Sequence, residues 1–355
     1  MKKHVLHSVV ALVVGTMYGA QSTQQQTPEW SHLYTRIFSE EDAAHNKGQK
    51  ELIFSKTNIP NFTQLIPSWN AVRPVGGHFS LWVQARDQRT KRWDNWYHVA
   101  DWGDGIQRSY MSDPGAATRF FHVRLEALNA KEMDGFKLRI QAHGAADIAQ
   151  VRTLAVNTTH NDRFVSEVHN GALRKLSSLH IAHVPHWSQM TLNHERSDAL
   201  CSPTSCSMLV SYLNKKIVDP LSFARKAYDG GLDAYGSWPF NAAGVFELSG
   251  QSLVCAITRL NSFIALHGLL QKGIPVALSI RGALKGSAKK SHPHGHFLVV
   301  VGFDGEHDQV ICHDPAFPDD EKTVVRYDRK NFLAAWENSK RLVYLISPVR
   351  SVMRL

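Results

Sequence analysis

The sequence predicts an α+β protein in which an all-β sandwich precedes a domain of helices and strands. Residues 50–158 contain several short β-rich segments separated by turn residues, a pattern typical of a β-sandwich. From residue 181 the pattern changes to helical segments followed by apolar, strand-like runs. The chain has 355 residues, 43% of them apolar, and at roughly 100–200 residues per domain this length allows two or three domains.

The β-rich half is defined by alternating segments and by turn residues. The predicted strands are Phe62–Ile66, His78–Ala85, Trp96–Ala100, Phe120–Leu128 and Lys137–Gln141. Turns are expected at Gly76-Gly77, Asp104-Gly105, Asp113-Pro114-Gly115 and Asp134-Gly135. Phe120–Leu128 has its apolar residues on one parity, as a half-buried strand should.

This half is also rich in tryptophan, with Trp69, Trp82, Trp93, Trp96 and Trp102. Two interpretations are open. Buried tryptophans would be large core residues, whereas exposed ones could stack on sugar rings. The polar and basic residues 159–180 are interpreted as a linker or strap between the two halves.

The second half, which we place at residues 181–348, has a mixed pattern. Its predicted helices are Cys201–Leu213, Pro220–Tyr228, Phe240–Leu248, Phe263–Gln271 and Asn331–Trp336. Its predicted strands are Pro275–Ile280, Gly295–Phe303, Gln309–His313, Thr323–Tyr327 and Arg341–Ile346.

The N-terminus predicts export. A basic head, a short apolar stretch from Val5 to Val14 and small residues after it are typical of a secretory signal peptide, here residues 1–20. An ordinary N-terminal helix is the alternative. Because no apolar run reaches the roughly 18 residues of a membrane helix, we expect no span in the mature chain. The expected location is the medium, the periplasm or the cell envelope.

The net charge and the cysteine content limit the classes of ligand and partner that the protein is expected to bind. Lys and Arg total 40 and Asp and Glu 31, giving a net charge of +9 that favours anionic surroundings. The sequence contains no dense Lys/Arg tract, so we predict no dedicated nucleic-acid site. No cysteine pair has zinc-site spacing, so no structural metal is predicted. Cys206, Cys255 and Cys312 are interpreted as buried small apolar residues.

Cys201 stands in a different context, at the start of a predicted helix. Pro203 suits a first helical turn, and the free N–H groups and dipole there favour a thiolate. A nucleophilic thiolate needs a base, and the base needs a group that orients it. His296 begins an apolar strand and Asp314 ends the next one, so a hairpin would bring them together. Taken singly, each fits an ordinary role: an edge histidine, or a turn residue before Pro315.

Six segments occur in the order of a known family: Val184–Gln189, Cys201–Ser205, Gly236–Asn241, Gly273–Val276, Gly295–Phe303 and Asp314-Pro315. Together they resemble the C39-like cysteine peptidases, which have a papain-like fold. Pro67–Asn70, with Trp82 and Trp96, is similar to the β-domain that precedes this peptidase in some exported members.

The resemblance implies a role for each site residue. Cys201 would be the nucleophile, His296 the base and later the acid, and Asp314 the group that orients His296. Gln189 lies 12 residues before Cys201 (201 − 189) and would donate to the oxyanion with the Cys201 backbone N–H. Trp238 and Asn241 would line the substrate groove. The implied substrate is a peptide or a cell-envelope peptide, hydrolysed without metal or cofactor.

One departure supports an alternative. The family usually has glycine after the nucleophile, whereas this chain has Ser202. The alternative is a non-catalytic protein with a degenerate peptidase domain, which would hold an anionic polymer or glycan in the cell envelope. The histidines of His292–His296 resemble a metal site, but we interpret this segment as a flexible loop that overhangs the cleft.

Overall fold

The computed structural model describes residues 29–170 and 175–349. The predicted signal peptide, residues 1–20, lies outside the described residues. Within them the chain is mostly β, with three sheets and few helices, so it is richer in strands than the predicted α+β class suggests. No helix in the described part of the chain is both long and apolar enough to cross a bilayer.

The first half folds as two five-stranded antiparallel sheets. The first sheet has the order β1-β10-β3-β8-β7 and the second has the order β2-β9-β4-β5-β6. The elements are β1 (Ser31–Ile37), α1 (Glu40–Asn46), β2 (Glu51–Phe62), β3 (Gln64–Ala71), β4 (Gly77–Asp87), β5 (Tyr97–Gly103), β6 (Gln107–Ser109), β7 (Thr118–Phe121), β8 (Arg124–Ala127), β9 (Met133–Gly144) and β10 (Val151–Thr159).

One apolar core joins the two sheets, as a sandwich requires. Trp69 from the first sheet meets Trp102 from the second, edge to face, with ring centroids 6.1 Å apart. Both rings are fully buried. The tryptophans therefore divide between the two interpretations, because Trp82, Trp93 and Trp96 remain partly exposed.

Two predicted strands in this half are wrong, and both cover turns. Phe120–Leu128 is a hairpin, because His122 and Val123 take φ values of 45° and 58° between β7 and β8. A β-branched residue rarely adopts positive φ, so the sequence carries no turn signal there. Phe62–Ile66 likewise spans the turn between β2 and β3.

The predicted turn at Asp134-Gly135 is also wrong, since both residues lie inside β9. A glycine occurs inside the strand because a larger side chain would not fit: a Cβ on Gly135 would lie 2.9 Å from the Lys56 carbonyl oxygen of the paired strand. The first sheet also includes β1, which precedes residue 50 and pairs with β10 along its length.

The second half is built on a seven-stranded sheet of order β12-β17-β13-β14-β15-β16, with β11 paired to β14. The strands are β11 (Leu179–His180), β12 (Leu253–Arg259), β13 (Val276–Leu284), β14 (Lys290–Asp304), β15 (Gln309–His313), β16 (Val324–Asp328) and β17 (Leu342–Pro348). The helices are α2 (Glu167–Asn170), α3 (Cys201–Asn214), α4 (Pro220–Ala227), α5 (Trp238–Leu248), α6 (Phe263–Gln271) and α7 (Arg329–Asn338).

Local sequence signals determine where these helices begin and end. Ser262 caps α6 by accepting from the Ala265 N–H, and Gly273 follows its end with φ of 73°. Asp219 caps α4, whose first residue is Pro220. Helix α3 is buried from Ser202 to Ser211, so it forms the centre of this half.

The predicted flexible loop before His296 is instead part of a β-hairpin. The pairs Gly282–His292 and Leu284–Lys290 extend the ladder between β13 and β14. His292 and His296 are therefore fixed by backbone pairing. Strand β12 has no counterpart among the predicted strands; it lies at the sheet edge, against the first half.

The two halves meet through specific polar contacts. The Asn70 side chain pairs with the backbone of Cys255 in β12, donating to its carbonyl at 3.0 Å and accepting from its N–H at 2.9 Å. The buried Asp229 carboxylate accepts from the Ser109 N–H at 2.7 Å and from the Ser109 hydroxyl at 2.6 Å. The halves therefore form one continuous structure.

We expect Gly231→Ala to weaken this interface. A Cβ at Gly231 would lie 1.9 Å from the Ser109 carbonyl oxygen, a backbone atom that cannot rotate away. Overpacking of this kind costs about 1–3 kcal/mol, which should lower the urea midpoint followed by tryptophan fluorescence. The matched control is Gly268→Ala in α6, where a Cβ meets nothing within 4 Å. Equal midpoints for the two variants would contradict the close contact.

Candidate active site

The thiol of Cys201 lies at the first turn of α3 and is half-buried. Leu200 precedes the helix and provides no side-chain cap, so the first N–H groups are left for other partners. The backbone N–H groups of Ser202 and Phe297 lower the pKa of the thiol. The helix start therefore surrounds the thiol with donors that stabilise negative charge.

Strand register brings His296 beside Asp314. Val299 of β14 pairs with His313 of β15, so Asp314, the next residue, lies diagonally opposite His296 on the same face. His296 Nε2 and Asp314 Oδ1 are 2.7 Å apart and both groups are buried. Because Nε2 contacts the carboxylate, Nδ1 is the ring nitrogen left to face the Cys201 thiol, and the interaction with Cys201 raises the pKa of His296.

Further donors fix the Asp314 carboxylate. Its Oδ1 accepts from the Ala316 N–H at 3.0 Å, and its Oδ2 accepts from the Tyr327 hydroxyl at 2.8 Å. Burial alone would raise the pKa of this carboxyl, but the His296 charge and these hydrogen bonds lower the pKa to about 2. Asp314 is therefore ionised at neutral pH.

The cysteine and histidine stabilise each other's charged forms. Burial would raise the pKa of the Cys201 thiol, but the hydrogen bond and charge of His296 outweigh it and hold the pKa below the ordinary value. Burial would lower the pKa of His296, whereas Asp314 and Cys201 raise it to about 10. The arrangement favours a thiolate paired with an imidazolium.

His292 covers one face of His296. The two rings stack with centroids 4.0 Å apart and planes 8° apart. Burial and the nearby His296 charge lower the pKa of His292 to about 4, so it is neutral at pH 7. His292, His296 and Asp314 have ligand atoms within 4.8 Å of one another and are the metal-type cluster in the described chain. Both Asp314 oxygens already accept hydrogen bonds, which a metal ion would have to replace.

A cavity of about 370 Å³ opens beside the thiol. Both halves of the chain contribute to its wall, and the residues that line it are Gln64, Arg124, Cys201, Gly236, Trp238, Arg259, Ser279, Arg281, His294, Gly295, His296, Phe297, Asn338, Ser339 and Lys340. Trp238 therefore lines the same cavity as Cys201 and His296, and its role in a substrate groove stays a prediction.

The other two predicted site residues are placed differently. Asn241 is fully buried and donates its amide to the carbonyls of Tyr235 and Ser237, so it supports the start of α5 and does not line the cavity. The Gln189 amide donates to the Ser197 carbonyl at 3.0 Å and the Asp198 carbonyl at 2.6 Å. Its two donors hold the segment before Cys201, and its role toward an oxyanion stays a prediction.

Ser202 fits its position without entering the cavity. Its side chain is buried, and its hydroxyl lies 2.9 Å from that of Tyr344. A side chain after the nucleophile is therefore accommodated within the core.

We expect Ser202→Gly to lose stability without gaining activity. The Tyr344 hydroxyl would lose its partner, which costs about 1–3 kcal/mol when a buried group is left unpaired. Ser202→Ala is the matched control, because it removes the hydroxyl and keeps the Cβ. Unfolding midpoints and kcat/KM for both variants check this expectation. A large gain in kcat/KM for the glycine variant alone would show that Ser202 obstructs the site.

Some site residues carry no signal in the sequence. Tyr327 is an ordinary strand tyrosine, and Gln64, Arg124 and Arg259 lie in strands that are distant from Cys201 along the chain. Only the packing of the two halves brings Gln64 and Arg124 to the cavity.

Comparison with known families agrees with this architecture. Residues 181–344 match the Peptidase_C39 like family, and residues 20–159 match the Peptidase C39 N-terminal domain. The chain therefore contains a Peptidase_C39 like domain, and a Peptidase C39 N-terminal domain precedes it. No curated protein matches the chain. No solved structure matches it either.

Proposed function

We propose that this chain is an exported cysteine peptidase or amidase that hydrolyses peptide bonds, with Cys201 as nucleophile, His296 as base and acid, and Asp314 as the orienting group. The observation that carries the proposal is the 2.7 Å contact between His296 Nε2 and Asp314 Oδ1. It leaves Nδ1 to the thiol at the start of α3. The match of residues 181–344 to a peptidase family supports the same chemistry.

The chemistry would proceed in two steps. The Cys201 thiolate attacks the carbonyl carbon of the scissile bond, and the resulting oxyanion collapses as the amine leaves with the proton from His296. A thioester to Cys201 remains. Water then attacks it while His296 takes a proton, and the acid product leaves as the thiolate and imidazolium return.

Two donors are proposed for the oxyanion, the Cys201 backbone N–H and the Gln189 amide. Such donors often supply the largest rate contribution in acyl transfer. Gln189 would need to release one of its carbonyl contacts to Ser197 or Asp198 when substrate binds. The Gln189 contacts with Ser197 and Asp198 support this role, because they hold its amide at the segment that leads into Cys201.

The fold proposed for this half is papain-like. A central buried helix that begins at the nucleophile packs against an antiparallel sheet that carries the histidine and the aspartate. Contacts between α3 and strand β14 support this arrangement, since Cys201 begins α3 and His296 lies in β14.

The alternative of a non-catalytic glycan-binding protein has less support. Ser202, its motivation, is buried away from the cavity. The partly exposed tryptophans are covered by cations: Arg139 lies 5.3 Å from the Trp82 ring centroid and 4.4 Å from that of Trp96, and Lys137 lies 4.1 Å from that of Trp93. Those faces are not free to stack on a sugar.

Peptide-library digestion tests the proposed activity. The mature protein is incubated with a mixture of synthetic peptides of random sequence, and new termini are read by mass spectrometry. We expect new termini that disappear after treatment with iodoacetamide. An intact library over a wide pH range would overturn the peptidase proposal.

Export is proposed separately, from the signal-type pattern of residues 1–20. The N-terminal residue of the protein recovered from the cell envelope or the medium tests it. Cleavage near residue 20 is expected, and a protein found only inside the cell with Met1 in place would overturn export.

A further inference from the structure

The cavity beside Cys201 is lined by cations and by no acid. Besides His296, which is paired with Cys201, four of its lining residues are arginine or lysine, namely Arg124, Arg259, Arg281 and Lys340. None of the residues that line it, as far as the chain is described, is an aspartate or a glutamate. Positive charge is therefore concentrated at the place where the proposed substrate must lie.

Arg259 is the most unusual of these cations. It is only 7% exposed, and within the described chain it has no carboxylate at ion-pair distance. Its Nη1 donates to the carbonyls of Ser339 and Lys340, at 2.6 Å and 3.0 Å, and its Nη2 donates to Gln64 Oε1 at 2.7 Å. A buried cation without a counter-charge costs free energy, so the site is incomplete as it stands.

The donor count shows what is left for a ligand. A guanidinium has five N–H donors, of which the two carbonyls and Gln64 take three. The Nε–H, which has no partner within the described chain, and one N–H of Nη2 remain. Nε and Nη2 lie on one edge of the guanidinium, the edge whose fork geometry matches the two oxygens of a carboxylate.

The neighbouring cations increase the need for an anion. Burial, and then the charge of Arg124, lower the pKa of Arg259 to about 9. Burial and the Arg259 charge also lower the pKa of Lys340. Arg124 is partly neutralised by Glu126, at 2.6 Å, whereas no ion pair is seen for Arg281 or Lys340 in the described chain. A bound anion would relieve this repulsion.

We propose that this cavity binds a carboxylate of the peptide substrate, with Arg259 as the anchor and Arg124, Arg281 and Lys340 as the surrounding charge. The inference rests on the proposed function, because it names the substrate class of the same site. It also gives the first half of the chain a part in recognition, since Gln64 positions Arg259 and Arg124 lies in β8. The carboxylate could come from an acidic side chain or from the C-terminus of the peptide.

Retention of peptides by an inactive variant tests the inference without requiring turnover. The full mature chain carrying Cys201→Ala is immobilised and exposed to a random peptide library made in two forms, with free C-terminal carboxylates and with C-terminal amides. Retained peptides are identified by mass spectrometry. We expect peptides with a carboxylate to be enriched about tenfold over neutral ones, the scale of a charge-assisted hydrogen bond. Loss of the enrichment in the amide form assigns the C-terminus, whereas its persistence in peptides with Asp or Glu assigns the side chain.

Charge variants separate the cavity from the general positive charge of the protein. In the Cys201→Ala background, Arg281→Gln removes an exposed lining charge and should reduce the enrichment about threefold, as expected for an exposed charge. Arg259→Lys keeps the positive charge but loses the paired N–H donors of the guanidinium, so it should reduce the enrichment further. The control is Arg89→Gln, an exposed arginine in the turn after β4, which makes the same charge change outside the cavity and should leave the enrichment unchanged.

Each outcome decides between the two proposals. Equal retention of acidic and neutral peptides, or an equal loss in Arg281→Gln and Arg89→Gln, would overturn the carboxylate site. Cleavage of the library by the unmodified protein without acidic preference would overturn it too, and would leave the peptidase proposal standing. Enrichment that depends on Arg281 in a protein that cleaves nothing would support the site and overturn the activity.

Discussion

Cys201→Ala is expected to abolish peptide-bond hydrolysis, with a fall in kcat/KM of at least about a thousandfold, because the proposed acyl intermediate forms on the Cys201 sulfur. The substitution removes only the sulfur, and the site is half-buried at a helix start, where alanine is well tolerated. The fold should therefore be retained. The measurement is the rate of cleavage of a peptide that the library digestion identifies.

Cys206→Ala is the matched control for this result. Cys206 lies in the same helix, is fully buried and is not among the residues of the cavity. Burial raises the pKa of its thiol well above the ordinary value, so it is not a nucleophile. We expect Cys206→Ala to cost some stability and to keep kcat/KM. If Cys201→Ala still hydrolyses the peptide at the wild-type rate, Cys201 is not the nucleophile.

Asp314→Asn is expected to have the second-largest effect, a fall in kcat of about a hundredfold, within the range of positioned acid–base groups. The asparagine keeps the size of the side chain but loses the charge that favours the His296 imidazolium. The thiolate then loses its partner, so the pKa of Cys201 should rise. KM should change little because Asp314 does not line the cavity.

Asp319→Asn is the control for Asp314→Asn, since it removes a carboxylate that pairs with Lys322 on the surface. It should leave both kcat and the pH profile unchanged. A loss of activity in Asp314→Asn with an unaltered pH profile for Cys201 would contradict the electrostatic role and point to a purely structural one.

The same pair makes stability depend on pH. The pKa of Asp314 is lowered to about 2, so its contribution is present above its ordinary value of 3.8 and is lost as the pH falls through about 2. The pKa of His296 is raised to about 10, so its contribution is present below its ordinary value of 6.5 and is lost as the pH rises through about 10. The pair therefore stabilises the fold most between these ordinary values, and Asp314→Asn should flatten that dependence.

Much of the candidate site follows from local sequence signals. The helix that begins at Cys201 is set by its apolar face and by Pro203, and the strand after His296 is set by a continuous apolar run. Because β14 and β15 are joined by a short connection, the hairpin that brings His296 to Asp314 could be predicted from the sequence alone. Helix α6 agrees with its predicted bounds because Ser262 and Gly273 mark both ends.

The rest depends on contacts that no local signal encodes. The hairpin turn at His122 and Val123 contains neither glycine nor asparagine. The sequence therefore predicts one long strand there. Asn241 has the polarity of a groove residue, yet tertiary packing directs its amide to backbone carbonyls. Arg259 reaches the cavity only because β12, the edge strand of the large sheet, packs against the first half.

The central claim, a stabilised thiolate at Cys201, is tested most directly by the alkylation rate of each cysteine against pH, read by mass spectrometry on the native protein. The other three cysteines serve as internal controls, because burial raises the pKa of Cys206, Cys255 and Cys312. We predict that Cys201 alone reacts rapidly, with a midpoint well below the free-thiol value of about 8.5. A midpoint for Cys201 at or above that value would contradict the assembled pair of Cys201 and His296.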